Sequence, residues 1–195
     1  MADMGAPPSL AADPLGVPSP WVRRFAHLVP SGGSVLDLAA GAGRHTRFFL
    51  DRGHEVVAVD RTLAGLADLG GRAGLETIEA DLETETDLET PAGWPLGERR
   101  FDAIIVTNYL HRPLLPALGA ALKPGGALIY ETFAAGNEQY GRPSHPDYLL
   151  QPNELLDAFT GLLTIVGFEH GIVFTPRPAA IQRLAAVRDL PLTPL

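Results

Sequence analysis

The stretch SVLDLAAGAGRHTRFFLDR, residues 34–52, runs from apolar residues through a glycine turn into a basic, aromatic-rich segment. Ser34 to Ala39 reads as a buried strand, Gly41 and Gly43 as a turn that needs positive φ, and Arg44 onward as a helix. The cycle recurs at once. HEVVAVD (54–60) predicts a strand ending on Asp60, TLAGLADL (62–69) a weak helix, and LETIEAD (75–81) a strand ending on Asp81. FDAIIVTNY (101–109) predicts the most apolar strand. Leu114, Leu115, Leu118, Ala121 and Leu122 then carry helical spacing that KPGG (123–126) stops before GALIYETF forms a fifth strand. Leu155, Leu156, Phe159, Leu162 and Leu163 mark another helix, and LTIVGFEHGI (163–172) with AAIQRLAAVR (179–188) reads as a hairpin across a TPRP turn.

Seven strands alternating with helices at this interval define an α/β chain with a doubly wound, mostly parallel, Rossmann-like sheet and a C-terminal antiparallel hairpin. Ligands of such sheets sit at the carboxyl ends of the strands, near the point where strand order reverses. One rim would then hold Ala39 to Arg44, Asp60, Asp81, Asn108 to His111, and Glu131. A chain of 195 residues has room for one domain. We expect it over 20–195, opening on a short helix marked by Trp21, Val22, Phe25, Leu28 and Val29, with a proline-rich arm over 1–19. Between Leu82 and Arg100 an acidic, turn-rich loop is expected.

Composition narrows the function. A net charge of −8 disfavours specific binding to nucleic acid, whose phosphates the molecule as a whole repels. The absence of cysteine excludes thiolate nucleophiles, thiolate metal sites and disulfides within this chain. No cluster of His, Asp and Glu has metal-ligand spacing, so no metal is expected. No secretory leader or membrane span is legible, and a cytoplasmic location is the expectation, with oligomeric state left open.

A dinucleotide site is the obvious rival for the glycine turn. Counted from Gly41 and Gly43, the third small residue of G-x-G-x-x-G falls on Thr46, which argues against a pyrophosphate at the helix start. The order Asp37, Ala39, Gly41, Gly43, then Asp60, then Asp81 resembles the class I S-adenosylmethionine-dependent methyltransferases instead. VTNYLHRPLLPAL, LKPGG, ALIYETFAAGNEQYGRP and LLQPNELL are similar to small bacterial methyltransferases grouped loosely with the tellurite-resistance type. Ala39 stands where glycine is commoner, and its methyl group is compatible with the turn where φ stays negative.

The resemblance implies that S-adenosylmethionine is the cofactor. It assigns the ribose hydroxyls to Asp60, the adenine amino group to Asp81 with the Leu82 amide on the ring, and the methionine portion to the backbone at 39–43. Asp37 would orient that loop or the bound amine. Arg44, Arg61, Asn108 and Tyr109 complete the candidate cofactor set. Either acid alone reads equally well as a solvated strand-end carboxylate.

For catalysis, His111 after the fourth strand and Glu131 near the end of the fifth are the candidate general bases on a small-molecule acceptor. A lone loop histidine also reads as a cap, and Glu131 also reads as a structural partner of Arg112 or Arg142. Ala134 to Leu150, with Asn137, Tyr140, Arg142, His145 and Tyr148, reads as a substrate-facing lid or as a plain surface loop. Two other functions stay open: a nicotinamide-dependent oxidoreductase, and a non-catalytic S-adenosylmethionine-binding module.

Overall fold

In the computed structural model, which describes residues 16–84 and 94–190, the apolar runs become a seven-stranded sheet. The strands are β1 Ser34–Leu38, β2 Glu55–Asp60, β3 Leu75–Glu79, β4 Phe101–Thr107, β5 Leu122–Phe133, β6 Thr164–Val173 and β7 Ala179–Val187. Their spatial order is β3-β2-β1-β4-β5-β7-β6. The first five are parallel, and β7 runs antiparallel to both β5 and β6. Strand order reverses at β1, which pairs with β2 on one side and β4 on the other.

Both faces of the centre are covered, as the unbroken apolar runs require. Period-two alternation sends Val35, Ile105 and Ile129 to one face, under helix α1 (Pro20–Phe25) and helix α2 (Arg44–Leu50). Leu36, Ile104 and Leu128 go to the other, under α3 (Leu115–Ala120) and α4 (Glu154–Phe159). The same alternation puts Asp37 on the α2 face, which decides its partner below. Ser19 caps α1 by accepting from the Trp21 amide at 3.0 Å, and proline at the first helical position suits that start. Trp21 anchors the helix on the sheet through an indole N–H to the Leu184 carbonyl. Gly167 is where Phe25 touches β6, since a Cβ there would lie 2.7 Å from the ring.

Several boundaries differ from the sequence expectation. The segment 62–69 forms a 3₁₀ helix over Ala64–Leu69 rather than an α-helix. β3 stops at Glu79, so Asp81 lies two residues beyond the strand end. The KPGG turn does not stand outside the fifth strand: β5 begins at Leu122 and carries those residues as an irregular start, with a register shift opposite Phe101 and Ala103. Leu162 falls beyond α4 and is exposed. Ser19, the last residue of the expected arm, is buried at 3% exposure; residues 1–15 and much of the expected acidic loop (85–93) lie outside the described residues. Among the described residues no helix is long and apolar enough to cross a membrane.

The turn between β1 and α2 makes the tightest demand on sequence. Gly41 and Gly43 have φ of 56° and 73°. A Cβ on Gly43 would meet Leu66 Cδ2 at 2.3 Å, whereas one on Gly41 meets nothing within 4 Å. Gly43→Ala should therefore destabilise the fold by about 2–4 kcal/mol and Gly41→Ala by about 1–2 kcal/mol, through backbone strain alone. Denaturant unfolding of both variants without ligand checks the ranking.

Candidate functional site

The glycine turn is held from behind and from the side. Behind it, Asp37 is buried at 2% exposure and accepts a 2.6 Å hydrogen bond from the Thr46 hydroxyl. Thr46 thus occupies the place of a small residue because it is the partner of Asp37. From the side, Asp60 Oδ2 accepts from the Gly41 amide at 2.8 Å, while its other oxygen takes the Thr62 amide at 3.2 Å. Arg47 on α2 donates to the Ala42 carbonyl and to Asp68, strapping the turn to the 3₁₀ segment. There Gly65 leaves room for the Gly41 carbonyl, which a Cβ would approach to 2.6 Å.

Ala39 corrects the expectation made for it. Its φ is +55°, so the residue after β1 is left-handed despite its methyl group. For a non-glycine residue that conformation costs about 1–2 kcal/mol and persists because the surrounding bonds fix it. Here the Ala40 amide bonds the Val59 carbonyl at 3.0 Å and the Gly43 amide bonds the Ala40 carbonyl at 2.9 Å.

In front of the turn, a cavity of about 240 Å³ opens between Ala39, Asp60, Arg61, Asp81, Leu82 and Tyr109, with Ala80 and Glu83 completing it. It brings together six of the expected cofactor residues, whereas Asp37, Gly41 and Gly43 are not among those that line it. Asp81 takes the Glu83 amide at 2.9 Å, which turns the chain sharply after β3. Tyr109 has its hydroxyl buried without a hydrogen-bond partner. Burial pushes that phenol well above its usual range, and the carboxylates of Glu83, Asp81 and Asp60 add to the shift. An acidic cavity with an unpaired buried hydroxyl fits a ligand that carries positive charge and hydroxyl or amino donors, as S-adenosylmethionine does.

Arg44 and Asn108, expected in the same set, line a second cavity on the other side of the β4 end, together with Glu131 and Phe133. Asn108 has φ 57° and donates its amide to the Glu131 carbonyl at 2.9 Å. The chain therefore forms a ridge at 108–109, with Asn108 facing one cavity and Tyr109 the other. His111 is not among the residues lining either, and its Nε2 is buried without a partner. The two candidate bases are thus separated: Glu131 reaches a cavity and His111 does not. Glu131 accepts from the Ser19 hydroxyl at 2.8 Å and pairs with Arg183 at 3.3 Å, so its ionic partner is neither Arg112 nor Arg142. Arg112 instead grips Glu154 through two nitrogens and donates to the carbonyls of Asp147 and Leu149.

Ser19, His45 and Arg183 lacked a signal in one dimension, because each acts through residues distant in sequence. The Ser19 amide donates to His45 Nε2 at 3.1 Å, which leaves the proton on Nδ1, facing Thr107 Oγ1 at 3.5 Å. Burial, with Arg44 beside it, lowers the His45 pKa to about 3, so the ring is neutral.

The family comparisons agree with this geometry. Residues 35–126 match the family model described as a methyltransferase domain. The chain is 32% identical over 167 residues to the malonyl-[acyl-carrier protein] O-methyltransferase of Pseudescherichia vulneris, an alignment covering 80% of this chain and 62% of that protein. Among solved structures, TehB from Haemophilus influenzae superposes with a TM-score of 0.66 at 15% identity, over 86% of this chain and 61% of TehB. The 1,6-didemethyltoxoflavin-N1-methyltransferase of Burkholderia thailandensis, solved with its acceptor and S-adenosylhomocysteine, gives 0.60 at 24% identity, over 86% of this chain and 76% of that one. The chain thus carries a match to a methyltransferase domain over residues 35–126 and the fold of solved methyltransferases, and it spans 62% of the length of the curated relative.

Two buried groups give the domain opposed pH dependences. Burial raises Asp37 to about 6, so its ionisation costs stability that is recovered as pH falls below that value. The lowered His45 contributes stability that is present above its ordinary value of 6.5 and lost as pH falls. Asp37→Asn removes only the compensating group. The variant should lose about 1 kcal/mol more than the wild type between about pH 7 and pH 5, with equal or higher stability at about pH 8. Chemical unfolding across that range is the measurement.

Proposed function

We propose that the protein transfers a methyl group from S-adenosylmethionine to a small-molecule acceptor. The observation that carries this reading is the acidic cavity at the ends of β1 to β3, with Asp60 tied to the glycine turn and the Tyr109 hydroxyl unpaired inside it. The cofactor supplies an electrophilic methyl group on a sulfonium, so the protein need not provide a covalent nucleophile.

The residues then have separable tasks. Asp60 keeps lone pairs beyond those taken by the Gly41 and Thr62 amides, enough to accept from vicinal ribose hydroxyls. Asp81 and the Leu82 amide face the base, Arg61 borders that end of the cavity, and Asp37 with Thr46 fixes the turn against the methionine end. Asn108 and Tyr109 separate cofactor from acceptor. On the acceptor side, Glu131 is the general base where the acceptor must lose a proton, because Glu131 is among the residues lining that cavity and His111 is not. Holding the two reactants in line supplies the rest of the acceleration.

Isothermal titration should give binding of S-adenosylmethionine and S-adenosylhomocysteine and none of NAD. Asp60→Asn should weaken both by about 10- to 100-fold through loss of a charged acceptor, with the fold intact. Heat with NAD alone would favour the oxidoreductase reading.

Catalysis is tested separately from cofactor affinity. With an accepted substrate, Glu131→Gln should lower turnover by about 10²- to 10⁴-fold, while His111→Ala stays near the wild type. Equal turnover in all three proteins would leave positioning alone as the mechanism.

A further inference from the structure

The cavity holding Glu131 is one end of a longer recess. Its small inner part, about 90 Å³, opens into an outer one of about 480 Å³, and Asn108, Phe133 and Arg177 line both. The outer part adds Arg142, Pro143, Ser144, His145 and Tyr148. Among the described residues the two linings hold four arginines, at 44, 142, 177 and 183, and the one carboxylate of Glu131, in a chain whose net charge is −8. The neighbouring cavity has the opposite character, with Asp60, Asp81 and Glu83 against Arg61.

The four cations do not have the same availability. Arg183 is committed to Glu131 and Glu169. The Arg44 guanidinium reaches towards Thr107 Oγ1 at 3.4 Å. Arg142 and Arg177 have no carboxylate within ion-pair distance among the described residues, and the carboxylate of Asp147 lies by His145 instead. Arg177 also lies over the Phe133 ring, 6.0 Å from its centroid, which holds the guanidinium at an apolar wall.

The wall bearing Arg142 is fastened in place. Asn137, buried at 2% exposure, donates to the Pro143 carbonyl at 2.9 Å and accepts from the Ala180 amide at 3.2 Å. Arg112 holds the carbonyls of Asp147 and Leu149 from the other side. Leu149 and Leu150 are buried beneath. Two guanidinium groups lining one recess with Phe133, Pro143 and Tyr148 match a ligand with an oxyanion at one end and a flat apolar body at the other.

We infer that the acceptor is a small organic anion, its oxyanion held by Arg142 and Arg177 and its apolar body lying against Phe133 and Tyr148. This rests on the methyl-transfer reading for the word acceptor, but the anion site itself does not depend on it. A carboxylate and a phosphoryl group share the required chemistry.

Calorimetry or ligand-observed NMR on the full chain tests it with benzoate, phenyl phosphate and benzamide, each with and without S-adenosylhomocysteine. At least one anion should bind about tenfold or more tightly than the neutral amide, and the tighter of the two names the oxyanion. Arg142→Gln and Arg177→Gln should each weaken that anion about five- to tenfold, leaving S-adenosylhomocysteine affinity unchanged, while Arg23→Gln on α1 changes neither. Benzamide binding as tightly as both anions, no anion binding at about 10 mM, or unchanged anion affinity in both variants would overturn the inference. Retained anion discrimination with no S-adenosylhomocysteine binding would remove the methyl-transfer reading and leave the anion site standing.

Discussion

The hydrogen bond between the Thr46 hydroxyl and the buried Asp37 carboxylate joins the central strand to the first turn of the helix that follows it. Between them the chain must reverse within a few residues, and it does so through left-handed positions at 39, 41 and 43. Only a turn of that shape brings the Gly41 amide to Asp60 and the Ala40 amide to the end of β2. The clamp carries its own tension, since a carboxylate removed from water is stabilised by few partners and Asp37 is correspondingly hard to ionise. The domain tolerates this because the geometry in front of the turn depends on it.

Much of the fold was legible because the relevant information is local. The strands around β1 are apolar runs bounded by turn residues, and the hairpin of β6 and β7 follows from two such runs and a proline-rich link. What was misread was equally physical. Helix-stop chemistry in KPGG also suits an irregular strand entry, and which of the two forms depends on pairing with β4 and β7 across the sheet. A methyl group at position 39 was read as compatible with the turn where φ stays negative, but neighbouring hydrogen bonds hold Ala39 at positive φ against a penalty of about 1–2 kcal/mol.

The site was half legible for the same reason. Asp60, Arg61, Asp81 and Leu82 follow strand ends, so their placement on one rim comes directly from a parallel sheet. Asn108 and Tyr109 are adjacent in sequence yet face different cavities, a separation set by the left-handed backbone at Asn108. Glu131 was visible as a strand carboxylate needing a partner, but Arg183 was not identifiable as that partner. The two meet only because β7 lies antiparallel to β5 with Glu131 opposite Arg183.

The ridge at 108–109 also divides the molecule by what can be altered. The walls facing Tyr109 come from the ends of β1 and β2 and the turn after β3, and in the adjoining glycine turn and 3₁₀ segment Gly43 and Gly65 leave no space for a side chain. The outer wall facing Asn108 comes from the connection between Ala134 and Leu150, which is anchored by Asn137 and Arg112 but presents exposed side chains between those anchors. A redesign of which molecules this scaffold accepts would exchange residues such as Arg142, Ser144 and Tyr148 and keep the two anchors, leaving the other half of the sheet untouched.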